Sequence, residues 1–498
     1  MKRILAILLA VLTVGGLVAC GSAGDAYPGY YNYGFIGSRE PLVGDGIAGE
    51  ETIIENAFVR TSEQPVSTFS ADVDTASYTM MRRVLTEGSD ISRCKNAIRI
   101  EELINYFDYD YNAPTGDDLF GVKAQISDCP WNPEAKLLVL GLAAKKAVQN
   151  TAGNNLVFLI DVSGSMNGND RLGLLQRTFT YLVSHLSEND RVSIVTYSGK
   201  EKVVLTGCAG NRREDILHAI RSLEAYGSTN GQAGLQKAYE IAESCFIEGG
   251  NNRIIMASDG DLNVGISSPE ELKKFVGEKR DKGIYLSVLG FGAGNYRDSN
   301  MEAIADDGNG VYYYIDSERE AERIFGDKLT QTLYTVATDV KLQLTFSPEA
   351  VGEYRLVGYE NRLLREEDFT DDKKDAGELG AGHTVTVCYE LKLTDSALQD
   401  AADTQWINLA CRWKNAVGEQ SYLQESPIRA SALTRTPDAD FRFVSAVAEF
   451  GMLLKESKYL AKGTTAEDVS RILAGIETDD EYKLEFGELV KLYRKTLQ

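Results

Sequence analysis

The chain has 498 residues, 43% of them hydrophobic, and a formal net charge of −22. This length suggests two to four domains, and the composition provides enough apolar residues for their cores. The strong acidity argues against nucleic acid as a partner, because contacts to phosphate groups require clustered lysine and arginine.

The chain begins with a predicted signal peptide, residues 1–19. Two basic residues precede an apolar segment, Ile4–Val18, that is too short to span a membrane. The motif Leu-Val-Ala-Cys-Gly that follows resembles a bacterial lipobox, which implies cleavage before Cys20 and lipidation of that cysteine. An ordinary secretory signal with an incidental cysteine is the alternative. A lipidated protein is expected to be extracytoplasmic and anchored to the membrane of a bacterial cell envelope.

Residues 20–65 are predicted to form a flexible tether, because they are rich in glycine and tyrosine and lack a hydrophobic period. Residues 66–150 are predicted to be an α+β region. The spacing of its apolar residues predicts a strand, two helices and two further strands. In chain order these are Thr68–Val73, Ala76–Leu85, Ile98–Phe107, Lys123–Ser127 and Lys136–Leu142.

Six cysteines follow the lipobox. None has the CxxC spacing of zinc sites or thioredoxin-like sites. Cys388 and Cys411 lie on neighbouring predicted strands but on opposite faces, which a disulfide does not bridge without a bulge. Buried free thiols are therefore favoured, and the disulfide pairing of the six is left open. They are Cys94, Cys129, Cys208, Cys245, Cys388 and Cys411.

Residues 151–330 alternate between strand and helix patterns, which predicts a doubly wound, mostly parallel sheet. The segment Leu156–Ile160 is a continuous apolar run, typical of a strand buried on both faces. Asp161 ends this strand, and Ser163 and Ser165 follow in the next turn. Carboxylate and hydroxyl oxygens without cysteine or histidine suit a hard divalent cation such as Mg²⁺ or Mn²⁺.

Two later motifs extend this pattern. They are Gly-Ser-Thr-Asn around Thr229, and Ser-Asp-Gly around Asp259, directly after the predicted strand Arg253–Ala257. Together with Asp-Val-Ser-Gly-Ser at 161–165 they resemble the metal-ion-dependent adhesion site (MIDAS) of von Willebrand factor type A (VWA) domains. The resemblance implies a protein partner whose Glu or Asp carboxylate completes the metal shell. The metal-site residues that it implies are Asp161, Ser163, Ser165, Thr229 and Asp259.

Residues 331–435 have a strand pattern that predicts a β-sandwich-like domain, and residues 436–498 are predicted to be a helical tail. Several segments on both sides of residues 151–330 resemble the YfbK-like bacterial lipoproteins. Cys94 and Lys95 stand near a position where that family usually has proline, which affects one turn. The matching segments are Ser67–Tyr78, Arg99–Phe107, Tyr354–Arg362, Asp375–His383 and Ala446–Leu454.

The predicted fold is therefore α/β. A central doubly wound, mostly parallel sheet of the VWA/Rossmann-like type lies between a small α+β N-terminal region and a C-terminal β-sandwich-like domain with a helical tail. The predicted function is that of a membrane-anchored binding protein that engages an acidic group of a protein partner through a MIDAS cation. The alternative is a structural or assembly lipoprotein whose VWA domain organises its flanking domains without a functional metal.

Motifs that would indicate an enzyme are missing from the sequence. It contains no HExxH, no Walker A loop and no GxSxG elbow. A metal-dependent hydrolase with Asp259 or Asp261 as the base is the minor alternative. The chain is therefore predicted not to be an enzyme, and no small-molecule substrate is expected.

Overall fold

The computed structural model describes residues 53–146, 152–229, 231–260, 269–292, 298–399, 403–415 and 420–496. The predicted lipidation site, Cys20, and most of the predicted tether lie outside the described residues. The strands of the described ranges are β1 (Val59–Arg60), β2 (Val66–Ser70), β3 (Phe120–Asp128), β4 (Lys136–Ala144), β5 (Asn154–Asp161), β6 (Arg191–Tyr197), β7 (Glu201–Ala209), β8 (Asn251–Ser258), β9 (Ile284–Gly290), β10 (Tyr312–Tyr314), β11 (Thr335–Phe346), β12 (Val351–Val357), β13 (Leu363–Leu364), β14 (Gly377–Gly380), β15 (Thr384–Leu393), β16 (Gln405–Lys414) and β17 (Ser421–Arg429).

The α-helices of the same ranges surround these strands. They are α1 (Ala76–Thr86), α2 (Ile100–Asn105), α3 (Leu172–Ser184), α4 (Arg213–Arg221), α5 (Gly231–Ser244), α6 (Pro269–Arg280), α7 (Asp298–Asp307), α8 (Glu318–Glu322), α9 (Leu329–Leu333), α10 (Ala439–Leu454), α11 (Ala466–Ala474) and α12 (Glu481–Thr496).

The central sheet has the strand order β10-β9-β8-β5-β6-β7. All its neighbouring strands run parallel except β6 and β7, which form an antiparallel pair at one edge. The chain passes from β5 to β6 on one side and later crosses to β8 on the other side. The strand order therefore reverses at β5, and such a reversal creates a crevice at the carboxyl ends of the strands.

Strand β5 is apolar along its length because it contributes to two hydrophobic cores. Leu156, Phe158 and Ile160 pack with residues of α3 and α4, and Phe158 stacks on Phe179 of α3 with ring centroids 4.2 Å apart. Val157 and Leu159 point to the other face, where they pack with residues of α5, α6 and α7. Helices thus cover both faces, and the predicted doubly wound sheet is confirmed.

Two further sheets pack face to face as a sandwich. One has the order β1-β12-β15-β4-β3, and the other has the order β13-β2-β11-β16-β17, with β14 also paired to β11. Across the interface Phe346 stacks on Tyr354 with ring centroids 4.2 Å apart. The Tyr389 hydroxyl donates a hydrogen bond of 2.8 Å to Ser67. The predicted sandwich is therefore present.

The sandwich contains strands from both sides of the central sheet in the sequence. Strand β2 pairs with β11, and β4 pairs with β15. The α/β unit is therefore inserted between β4 and β11, and the predicted segments 66–150 and 331–435 share both sheets. The sequence pattern did not predict this pairing, because alternation of apolar residues identifies the buried face of a strand but not its neighbour.

The cysteines of the described residues with defined side chains are buried free thiols, namely Cys129, Cys208, Cys245, Cys388 and Cys411. Cys411 lies in the sandwich interior, whereas Cys388 points to the outer face of its sheet. Strands β15 and β16 belong to different sheets, so the two thiols lie in different layers, whereas the sequence pattern predicted opposite faces of neighbouring strands. The side chain of Cys94 lies outside the described residues.

A helical layer covers the outer face of the sheet that contains β15. Residues of α1, α2, α10, α11 and α12 share one hydrophobic cluster with Val139 of β4 and Cys388 of β15. Helices α2 and α10 approach closely at Gly451, where an added Cβ would lie 3.0 Å from Leu103 Cδ1. The predicted helical tail therefore packs together with the N-terminal helices as one layer.

Within this layer Glu101 of α2 is expected to make the stability of the protein depend on pH. Its side chain is fully buried, and burial raises its pKa to about 7, with the negative charges of Glu360 and Asp72 adding to the shift. Burial favours the protonated carboxyl in the folded state, so Glu101 costs little stability at acidic pH. The free energy of unfolding falls as the pH rises through 7, because the buried group must then ionise. Glu101→Gln should therefore raise the free energy of unfolding at pH 8 by about 2–3 kcal/mol.

Urea denaturation at pH 5 and pH 8 measures this effect. The neighbouring Glu102 provides the control, because it is equally buried but accepts hydrogen bonds from Ser77 N and Arg99 Nη1 at 2.7 and 3.1 Å. Glu102→Gln should therefore destabilise the protein at both pH values. Equal effects of Glu101→Gln at pH 5 and pH 8 would contradict the prediction.

Candidate metal centre

Two aspartates follow neighbouring strands at the point where the strand order reverses. Strands β5 and β8 pair in parallel, with Ile160 opposite Ala257. Asp161 is the last residue of β5, and Asp259 directly follows β8. Both carboxylates therefore belong to the same edge of the sheet, where ligands bind in open α/β folds.

Asp161 shapes the loop that carries the two predicted serines. Its side chain is fully buried, and its Oδ1 accepts a hydrogen bond of 2.8 Å from the backbone N–H of Ser163. This contact fixes the turn after β5, as aspartate side chains commonly do two residues ahead of a backbone N–H. The Oγ atoms of Ser163 and Ser165 are then only 2.9 Å apart. Three oxygen-bearing side chains thus converge within five residues of sequence.

The segment that carries Thr229 lies against this serine loop. Gly164 N donates a hydrogen bond of 3.0 Å to Gly227 O, and Tyr226 N donates one of 2.8 Å to Val162 O. Gly227 has a φ of +84°, a conformation that favours glycine. Thr229, which is half-buried, follows two residues later. The backbone therefore holds Thr229 beside the serine loop.

Asp259 is buried next to Asp161. Among the described residues, Asp259 Oδ1 has no hydrogen-bond partner, although it is shielded from solvent. Burial raises the pKa of Asp161 to about 6; hydrogen bonds from Ser163 oppose this shift, and the negative charge of Asp259 adds to it. Buried carboxylates are normally paired or bound to a metal. This pair of carboxylates, one with a free oxygen, therefore fits a divalent cation.

The donor set consists of two carboxylates and three hydroxyls. The part of the chain that the structure describes contains no cluster of three or more His, Cys, Asp or Glu side chains placed to hold a metal. A cation at this centre would therefore take part of its shell from hydroxyl oxygens and water, as Mg²⁺ commonly does. Hydrogen bonds link Asp161, Ser163 and Ser165 directly. Backbone hydrogen bonds place the Thr229 segment beside them, and the negative charge of Asp259 acts on the Asp161 carboxylate.

Two residues of the centre were not given a role by the sequence analysis. The Ser258 hydroxyl donates a hydrogen bond of 3.2 Å to Asp161 Oδ2, so it orients the carboxylate from the β8 side. Arg171 Nη1 donates a bond of 2.8 Å to Ser165 O and thereby fixes the end of the serine loop. Ser258 lies within the recognised Ser-Asp-Gly motif, whereas nothing in the sequence distinguishes Arg171 from other arginines.

Helix α1 also contacts the loop that follows the serines. Arg83 Nη2 donates a hydrogen bond of 2.9 Å to Asp170 Oδ2, and Arg83 Nη1 donates one of 2.7 Å to the Tyr314 hydroxyl. That hydroxyl donates in turn to Gly292 O at 2.7 Å. The residues before the α/β unit thus help to hold the edge of the sheet at which the centre lies.

Comparison with known families agrees with the fold. A family model described as "von Willebrand factor type A domain" matches residues 155–327, and one described as "von Willebrand factor" matches residues 50–139. The α/β unit is therefore a VWA domain, and the predicted VWA fold is confirmed. A domain of this class indicates a role in protein–protein interaction or adhesion.

Matches that extend beyond the VWA domain identify the protein family. A model described as "Uncharacterized protein YfbK, C-terminal" matches residues 331–496. The protein YfbK of Escherichia coli K12 is 38% identical over 477 residues, which cover 91% of this chain and 82% of that protein. The chain belongs to the YfbK family, which confirms this part of the predicted resemblance.

More distant similarities are limited to part of the chain. Human inter-alpha-trypsin inhibitor heavy chain H3 is 25% identical over 269 residues, and this match spans 49% of the present chain but only 29% of the human protein. Among solved structures, a von Willebrand factor type A protein from Catenulispora acidiphila is 17% identical with a TM-score of 0.42. That match covers 69% of the present chain and 80% of the other.

Proposed function

We propose that this protein binds an acidic group of a protein partner through a divalent cation held at the candidate metal centre. The observation that supports this most directly is the convergence of Asp161, Ser163 and Ser165 beside the buried, unpaired oxygen of Asp259. The Thr229 segment closes the other side of the same loop. Mg²⁺ fits this oxygen donor set, and Mn²⁺ is the alternative.

The chemistry of the donors explains why an acidic partner is expected. A bound cation would supply positive charge and a coordination position that a carboxylate from outside can fill. Three of the five donors are neutral hydroxyls, and the two carboxylates only balance a divalent ion, so the centre would carry no excess negative charge to repel a carboxylate from a partner. The residues of this chain therefore act by holding oxygen atoms in place and by excluding water on the buried side of Asp161 and Asp259. This role is non-catalytic.

Capture from a bacterial envelope extract tests the proposal. The full-length protein should retain a partner in the presence of Mg²⁺ and release it when EDTA is added. The variant Asp259→Asn should capture less of the same partner, because it removes a charged donor. When the Glu and Asp residues of the identified partner are replaced one at a time, one of these replacements should abolish capture. Retention of the partner in EDTA would contradict metal-mediated binding.

A structural role is the second candidate function, and one feature favours it. Arg362, which follows β12, forms ion pairs with Asp74 ahead of α1 and with Glu302 of α7 at 3.1 and 3.0 Å. It also pairs with Asp306 of α7 at 2.5 Å. One side chain thus joins the sandwich, the N-terminal region and the VWA domain. Metal-independent capture of a partner would support this alternative.

We also propose that the protein is held on a bacterial membrane through lipid on Cys20. The support is the lipobox-like sequence that ends at Cys20. None of the helices in the described ranges has the length and hydropathy needed to span a bilayer. Cys20→Ser should prevent lipidation and leave an unprocessed precursor. Incorporation of labelled palmitate and retention after a carbonate wash measure the effect. Unchanged labelling of the variant would exclude Cys20 as the lipid attachment site.

A further inference from the structure

The helical layer contains a cleft that shares no lining residue with the candidate metal centre. Its volume is about 410 Å³, within the range of small-molecule sites. It is bounded by the turn after β3, by α10, by the turn between α10 and α11, and by α11. The residues that line it are Pro130, Glu449, Lys462, Gly463, Thr464, Asp468, Arg471 and Ile472.

Glu449 is the unusual residue of this cleft. Its side chain is only 1% exposed, and within the described residues its Oε2 atom has no hydrogen-bond partner. A carboxyl group buried without a partner is unfavourable, so a hydrogen-bond donor from a bound molecule would stabilise it. Burial raises the pKa of Glu449 to about 7, with the charge of Asp468 adding to the shift and that of Arg471 opposing it.

The other acidic residue of the cleft is already neutralised. Asp468 Oδ1 accepts a hydrogen bond of 2.9 Å from Arg471, and its Oδ2 accepts one of 2.9 Å from the backbone N–H of Thr465. These contacts cap α11 and leave Asp468 little capacity for a ligand. Glu449 is therefore the acceptor that the cleft offers to a bound molecule.

The rim of the cleft has the opposite charge. Lys462 is exposed in the turn before α11, next to Gly463, where an added Cβ would meet no atom within 4 Å. The open space around Gly463 leaves this side of the cleft accessible. The positive charge of Lys462 disfavours a bare metal cation but attracts an anionic group, whereas Arg471 is already paired with Asp468. The lining of the cleft thus combines a buried acceptor, Glu449, with the exposed cation of Lys462.

We propose that this cleft binds a small zwitterion of the amino-acid or dipeptide type. The ligand's ammonium group would donate to the Glu449 carboxylate, and its carboxylate would pair with Lys462. This binding site is separate from the metal centre and does not depend on the function proposed above, so EDTA should leave it unaffected. The ligand is bound and not converted, because Asp468, the second acid of the cleft, is held by Arg471 and the Thr465 backbone N–H, and the Thr464 hydroxyl donates to Ala461 O.

Isothermal titration calorimetry with the full-length protein tests the proposal. The probe is alanyl-alanine, and the matched compounds are N-acetyl-alanyl-alanine, which lacks the ammonium group, and alanyl-alanine amide, which lacks the carboxylate. Alanyl-alanine should bind, and removal of either charged group should weaken its binding about tenfold or more, because charge-assisted hydrogen bonds contribute most of the affinity. Equal binding of the N-acetyl compound would overturn the proposal.

Variants of the protein test the two contacts proposed for the ligand. Glu449→Gln should weaken binding of alanyl-alanine about tenfold. Lys462→Ala, an exposed substitution that leaves the core intact, should weaken alanyl-alanine but not its amide. Lys495→Ala, on the exposed end of α12, is the control and should change nothing. Absence of binding by the wild-type protein at about 10 mM dipeptide, a concentration that detects even millimolar affinity, would also overturn the proposal.

Discussion

Simultaneous replacement of Ser163 and Ser165 by alanine is expected to abolish Mg²⁺ binding while leaving the VWA domain folded. The two Oγ atoms lie 2.9 Å apart on the loop that follows β5. The substitution therefore removes two of the three hydroxyl donors and no apolar contact of the core. The remaining oxygens do not satisfy the near-octahedral shell that Mg²⁺ requires. Titration calorimetry with MgCl₂ should show heat for the wild-type protein and none for the double variant.

The control is a pair of serines outside the centre. Ser184 and Ser222 lie at the ends of α3 and α4, where their hydroxyls bond to backbone oxygens of their own helices. Ser184→Ala combined with Ser222→Ala should leave the affinity for Mg²⁺ unchanged. Circular dichroism should give the same helix content for both double variants. Unaltered Mg²⁺ affinity in the Ser163/Ser165 variant would refute the assignment of the site.

Arg82→Leu is expected to lower the free energy of unfolding by about 3–5 kcal/mol, because it leaves buried carboxylates without their counter-charge. Arg82 of α1 contacts Asp316 at 2.5 Å and Glu320 of α8 at 2.8 Å. It also contacts Glu485 of α12 at 3.1 Å. Its side chain and those of Asp316 and Glu320 are almost fully buried. One guanidinium therefore joins the VWA domain to the helical layer.

Arg177 provides a matched control for this substitution. It forms an ion pair with Glu318 at 2.6 Å, but the two side chains are 46% and 64% exposed. Exposed ion pairs contribute about 0–1 kcal/mol, so Arg177→Leu should have a small effect. Urea denaturation of the two variants under identical conditions gives the comparison. A loss below about 1 kcal/mol for Arg82→Leu would show that the buried network is not stabilising.

The central sheet could be predicted from the sequence because its signals are local. The run Leu156–Ile160 is apolar at every position, as a strand between two helical layers must be. The metal-site prediction had a similar basis, since Asp161, Ser163 and Ser165 are close in sequence and directly follow that strand. The structure places them in one turn. The metal itself stays a prediction.

The sandwich was predicted less completely because its order depends on distant pairing. Strand β17 has no clear strand pattern in the sequence, because most of its side chains are at least partly exposed and Pro427 interrupts it. Proline is tolerated there because β17 is an edge strand. The ion pairs of Arg82 and Arg362 were also not predictable, since the position of a charged residue in the sequence does not identify its partner in the fold. The same applies to the unpaired oxygen of Glu449.

The insertion of the VWA domain between β4 and β11 affects the order in which the protein folds. Tyr389 bonds to Ser67, which lies 322 residues earlier in the chain. Strands β2 and β4 are synthesised before the VWA domain, yet β11 and β15, which pair with them, are made only after the whole VWA domain. The strands of the VWA domain pair among themselves and need no such delay. Assembly should therefore proceed from the interior of the sequence outward, and the earliest strands remain open to mispairing until the last third of the chain has been made.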